Sequence, residues 1–204
     1  MKSKENLSLL INPFVRIAGG KALSIGLVIF VASILLAYCG NMVFDGVLDA
    51  HFSDHINFGR ALLAPSIALF IFILVLYLTG RLLSKSSIRF IDVAGTVTLA
   101  RTPYILISLV VLIPGIYDYN MVIAQNLLAQ NYSGITVVQW IVFFLFLFVS
   151  MVATIWIVIL SYKAISVSCN ISGAKGIVGF ITALLFSEIV AAVAIYQLSK
   201  CFFV

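Results

Sequence analysis

Few side chains in this sequence could carry chemistry, and the most telling is Glu188, the one acid set deep within an apolar run of about Ile177 to Leu198. An ionised carboxylate is expensive in hydrocarbon, so such a group should face the protein interior and be either neutral or paired. Arg101 is expected within a turn or so of one edge of its own apolar run, where its stem can carry the guanidinium out to the headgroups. That leaves no cation at the depth of Glu188. Ser33, Ser108, Ser150 and Thr154 lie closer to it, and the expectation is a neutral Glu188 donating to a hydroxyl or a backbone carbonyl. Two roles compete for the residue, a proton or cation site and a polar clamp between helices. Relays are built from chains of ionisable groups, so a lone carboxylate favours the clamp.

His51 and His55 stand four apart beside Asp49 and Asp54, which on a helix would turn two imidazoles to one face, as in zinc sites. There is no third strong ligand, no catalytic Glu and no helix signal around them, so no metal is expected. They are also the only histidines, which leaves no nucleophile and base pair and argues against an enzyme. No phosphate-cradling glycine loop and no cofactor fingerprint is present, and no cofactor is expected. Of Cys39, Cys169 and Cys201, only Cys39 and Cys201 are expected on one side of the membrane; free thiols are the default, and pairing of those two stays open.

The elements that hold these residues follow from composition. Of 204 residues, 63% are hydrophobic and 9% charged, with a mean hydropathy of +1.22, whereas a soluble domain runs at about 45–50% and about 25%. So much apolar side chain cannot be hidden in one water-facing core, which excludes a soluble enzyme, a nucleic-acid binder and a disordered tail. The lipid bilayer is the first partner. A helix needs about 20 apolar residues to cross about 30 Å of hydrocarbon, and five such runs occur, at about 22–43, 61–79, 96–116, 135–160 and 177–198. They are too continuous for the alternating strands of a barrel. The fold class is all-α: a polytopic membrane protein, one membrane domain over residues 1–204, built as a bundle of five transmembrane helices with short interfacial helices. An odd number of spans argues against a simple inverted-repeat transporter.

Connecting segments carry their own signals. Pro103, after Arg101 and Thr102, and Pro65 are expected to open the third and second spans, and Pro114 to close the third. Leu7 to Ala18 and Leu82 to Val97 read as amphipathic segments on the membrane surface, the second with Arg89 and Asp92 at helical ion-pair spacing. Asp45 to Asn57 and Asp118 to Gly134 read as loops on the opposite side. Gly173, Gly176 and Gly179 let the fifth span begin in close contact with a neighbour. Ten of the twelve basic residues fall on the side of the N-terminus and only Arg60 and Lys200 on the other, which also holds Asp45, Asp49, Asp54 and Asp118. Short loops rich in Lys and Arg stay cytoplasmic, so the N-terminus is expected inside and the C-terminus outside. Leu36-Ala37-Tyr38-Cys39 only half resembles a lipoprotein cleavage box, since Tyr38 stands where a small residue is needed, and the first span is expected to be retained.

Several short motifs then resemble one family. Asn12-Pro13-Phe14 ahead of the first span, Val93-Ala94-Gly95-Thr96 running on to Ala100-Arg101-Thr102-Pro103, and Tyr162-Lys163-Ala164 followed by Gly173 to Gly179 are similar to the Yip (Ypt-interacting protein) family of five-span membrane proteins. Gly95, Arg101 and Pro103 match its entry to the third span, with Thr96 where Tyr is usual. The resemblance covers almost the whole length, without the long cytoplasmic head and the Asp…Gly-Pro motif of eukaryotic members. The short head is similar to bacterial members and implies a bacterial cytoplasmic membrane. Together with the topology and the missing catalytic groups, it implies a non-enzymatic protein that organises membrane or binds a membrane-protein partner or a second copy. The alternative is a small transporter or transporter subunit with Glu188 as a proton or ion site.

Overall fold

A computed structural model describes residues 9–202, with side chains as far as residue 200. A short 3-10 turn at Pro13–Val15 precedes α1 (Gly19–Cys39); an antiparallel hairpin of β1 (Met42–Val43) and β2 (His51–Phe52) leads to α2 (Phe58–Leu83). Then come α3 (Phe90–Ala100), α4 (Tyr104–Val110), α5 (Ile116–Leu128), α6 (Val137–Cys169) and α7 (Gly173–Phe202). Five segments among the described residues are long and apolar enough to cross a membrane, the third being α3 and α4 together, Phe90–Val110. The chain is an all-α integral membrane protein.

The spans pair through small residues. On α1, Ala22, Gly26, Phe30, Ser33 and Ala37 recur at helical spacing and are buried against α3 and α4, while α2 packs along α7. Helix α3 is the centre: every residue from Val93 to Ala100 is buried, with α1, α2 and α6 around it. Lipid tails are as apolar as Leu, so spans associate by close packing, and small side chains permit it. A Cβ on Gly26 would stand 2.7 Å from the Leu99 amide nitrogen, and one on Gly95 would collide with the Gly19 carbonyl oxygen and lie 3.0 Å from the Leu23 nitrogen. Both obstacles are backbone. Gly95→Ala and Gly26→Ala are therefore each expected to cost about 1–3 kcal/mol in unfolding from mild detergent, whereas Gly20→Ala, with nothing within 4 Å, should be close to neutral.

Several expectations from sequence are corrected. The third span starts at Phe90 and ends at Val110, not at 96–116, so Leu82 to Val97 is no surface helix: α2 runs to Leu83, a short turn follows, and Asp92 sits in the first turn of α3. What draws Phe90 to Ala100 inward is its run of small residues, Ala94-Gly95-Thr96, which fits against α1. Pro65 lies inside α2, because that helix already starts at Phe58, capped by the Asn57 carboxamide accepting from the Gly59 amide at 2.8 Å. The fourth span continues to Cys169, which takes Lys163 out of a loop and into helix; its start is fixed by a capping box between Thr136 and Gln139. Cys169 is buried at its end. Asp118 to Gly134 is mostly helix, since Ile116, Asn120 and Ile123 form a buried stripe on α5, which packs on α6.

Of the N-terminal amphipathic segment, residues up to 8 lie outside those described. The remainder buries Phe14 and is held to α6 by the Trp156 indole donating to the Leu10 carbonyl at 3.0 Å. Gly179 meets Leu83 and Thr79 of α2, the close approach its spacing implied.

Candidate functional site

The third span breaks at Arg101 to Pro103. Pro103 has no amide hydrogen to give, and the chain tightens there into bonds three residues apart, from Arg101 N to Thr98 O (3.2 Å) through Tyr104 N to Arg101 O (3.0 Å). Because the span begins six residues earlier than its apolar run suggested, and each helical residue rises about 1.5 Å, Arg101 is carried from the edge to the middle. It is 2% exposed and does not reach the headgroups.

Facing it is the far end of the hairpin. Between β1 and β2 the chain turns into the bundle, burying Phe44, Gly46 and Val47. Irregular backbone among spanning helices needs protein partners for its polar groups, since lipid supplies none. Four such groups are satisfied by three side chains. Arg101 Nη2 donates to the Gly46 carbonyl at 3.2 Å, and the Tyr104 hydroxyl donates to the Val47 carbonyl at 2.8 Å. The Val47 amide donates to Glu188 Oε2 at 2.9 Å and the Leu48 amide to Oε1 at 2.7 Å.

Glu188 thus accepts through both oxygens, where a donor to a hydroxyl or a backbone carbonyl was expected. Among the described residues no hydroxyl partners it. Ser33 gives its own hydroxyl to Ile29 O, and Ser108 donates to Ser33 O and Tyr104 O. Nor is Glu188 without a cation: Arg101 stands close enough to act on it electrostatically. The guanidinium lies 4.8 Å from the centroid of the Tyr104 ring and 5.8 Å from that of Phe30, while its Nε and Nη1 have no hydrogen-bond partner among the described residues. Arg101 and Tyr104 of the third span and Glu188 of the fifth meet on one turn of loop.

The rest of the hairpin forms a charged rim. His51 Nδ1 lies 2.5 Å from Asp45 Oδ1, and Arg60 Nη2 lies 3.7 Å from Asp45 Oδ2. The hydrogen bond to Asp45 holds the His51 pKa above its ordinary 6.5, against partial burial, which lowers it. A raised pKa means the folded state holds the proton more tightly, so this contribution is complete below about 6.5 and is lost as pH rises through the raised value. Thermal stability should therefore fall slightly between about pH 6 and 8, and Asp45→Asn should abolish that slope. On the neighbouring helix the Tyr117 hydroxyl donates to Asp54, which pushes its pKa up to about 12 and ties α5 to the rim.

His51 lies in β2 and His55 beyond it, so they do not share a helix face. Among the described residues no three His, Cys, Asp or Glu side chains converge as metal ligands. Cys39 is exposed and free, and the Cys201 side chain lies outside the described ones. Gly95 serves packing, Pro103 makes the break, and Arg101 holds the loop. Tyr104 was not singled out in the sequence; its place three residues after Arg101, beyond a helix-breaking proline, was the available signal.

Fold and site together define a five-span, all-α integral membrane protein whose interior charges are engaged on a loop folded into the bundle. No family model matches the chain, and no match is found among curated proteins or solved structures.

Proposed function

We propose that this is a non-enzymatic membrane protein of the Yip type, a membrane-organising or partner-binding scaffold. The observation that carries this reading is the engagement of Glu188: both carboxylate oxygens are taken by the Val47 and Leu48 amides. A carboxylate that carried protons or ions would need to release and regain them, whereas this one holds a loop to a span. The topology and the Gly95, Arg101 and Pro103 motif support the family reading. In it the N-terminus is cytoplasmic in a bacterial inner membrane, with Lys85, Arg89 and Lys175 toward the cytoplasm and the Asp45 rim outside.

Cross-linking in intact cells, followed by purification of the full chain, is expected to return a small set of membrane proteins or a second copy. Recovery of nothing above background overturns the scaffold reading. Ion- or proton-dependent flux in liposomes that a folded Glu188→Gln variant loses would replace it with transport. A reporter fused after Val204 is expected on the outside; a cytoplasmic signal there refutes the orientation.

A further inference from the structure

The third span occupies the costlier of the two placements its sequence offers. By hydropathy it runs over 96–116, which leaves Asp92 in water and lets the Arg101 stem reach the headgroups at the Arg89 end; as folded it runs over Phe90–Val110 and takes both charges in. The placements differ by six residues, about 9 Å along a helix. An arginine at the centre of a span offsets about five to ten Leu, Ile, Phe or Val residues, and Phe90–Val110 holds ten of them. Hydropathy therefore draws this helix toward the Arg89 side.

Packing draws it the other way. Of its most apolar stretch 72% is buried inside the protein, against 44% or less for each of the other spans. Gly95 lies against the Gly19 and Leu23 backbone of α1, the Thr96 and Ser168 hydroxyls share a hydrogen bond at 2.8 Å that ties α3 to α6, and Ser108 donates to the Ser33 carbonyl of α1 at 2.8 Å. Arg101 itself is held at the break, on the Gly46 carbonyl at 3.2 Å, with the Tyr104 hydroxyl on the next carbonyl at 2.8 Å. That turn of loop is moored in its turn by Glu188 of α7 through the Val47 and Leu48 amides. The depth of Arg101 thus depends on a carboxylate of the last span.

We propose that the third span is a two-register element: a shallow register over 96–116 with Arg101 at the headgroups, and the folded register over Phe90–Val110, in which the loop moored by Glu188 holds it. The element is bistable because a guanidinium in a span has two places where its charge is met, the headgroups and the loop carbonyl, with hydrocarbon between them. In the shallow register the contacts of Gly95, Thr96 and Ser108 are not made, so the helix is loose beside α1 and α6. Docking of the loop and of α7 closes the bundle. The inference does not rest on the scaffold reading, and its failure leaves that reading standing.

The test reads both ends of the span in the full chain, reconstituted in phosphatidylcholine nanodiscs with its own three cysteines replaced by serine or alanine. Ile91→Cys and Ile113→Cys, at positions 40% and 54% exposed, are introduced one at a time, and their rates of labelling by a charged, membrane-impermeant maleimide are measured. Glu188→Leu removes the mooring and leaves no charge behind. It is expected to speed labelling at Ile91→Cys about tenfold, the effect of losing one charge-assisted hydrogen bond on the balance of registers, and to slow it at Ile113→Cys, which moves into hydrocarbon. Adding Arg101→Leu should restore both rates, because the guanidinium no longer draws the helix to the headgroups. A rise at Ile91→Cys without a fall at Ile113→Cys, the mark of loosening rather than sliding, overturns the proposal. So does labelling that Glu188→Leu leaves unchanged or that Arg101→Leu does not restore.

Discussion

Glu188→Gln is expected to lower the stability of the protein by about 2–3 kcal/mol and to free the loop between the hairpin strands, although the side chain keeps its shape. The carboxylate accepts from the Val47 and Leu48 amides at 2.9 and 2.7 Å. A carboxamide has one oxygen, so its nitrogen must face one of those amide hydrogens, donor against donor. One buried amide then loses its partner and the other loses charge assistance, each costing about 1–3 kcal/mol before the loop relaxes. Denaturant titration in mixed micelles reads the stability, and hydrogen exchange at Val47 and Leu48 reads the local effect, with both amides exchanging faster in the variant. Unchanged stability together with unchanged exchange would sink the clamp and return Glu188 to the candidates for transport chemistry.

A still larger loss, about 3–5 kcal/mol, is expected for Arg101→Met, because Arg101 is buried and its removal leaves the groups it serves without their partner. Two penalties arise together: the Gly46 carbonyl loses its donor at 3.2 Å, and Glu188 loses the nearby cation. The double variant Arg101→Met with Glu188→Gln removes both charges and should be less damaging than the sum of the singles, by about 0.5–3 kcal/mol for groups that share a network. Arg101→Lys keeps the charge but not the planar contact with Tyr104 at 4.8 Å, and should fall between wild type and Arg101→Met. Strict additivity of the two single losses would show that Arg101 and Glu188 act independently and that the loop is not their common partner.

These two residues also show where reading by sequence runs out. Glu188 was legible because a single acid inside an apolar run is costly wherever the helix packs, and that cost follows from hydropathy alone. Its partners were not legible: they are backbone amides some 140 positions away, and an amide has no side chain to mark it in the sequence. Arg101 was visible but misplaced. The apolar run around it starts at Thr96, and only the packing of Ala94 and Gly95 against α1 shows that the span begins at Phe90. Tyr104 and the helix α5 were missed for related reasons, the first because a tyrosine in a span resembles any aromatic, the second because a short polar helix is stabilised by the surface it lies on.

The amino-acid sequence by itself determined the five spans, the all-α class and the presence of one carboxylate deep in the fifth, because these depend on the local sum of apolar surface over about 20 residues. Only the tertiary structure decided how deep Arg101 sits and that a loop between two spans turns back among them. It also decided that Arg101, Tyr104 and Glu188 are used to satisfy that loop. The reason is that hydrogen bonds of irregular backbone in a membrane must be met by whatever side chains the fold brings near, and that proximity is a property of packing rather than of any stretch of residues.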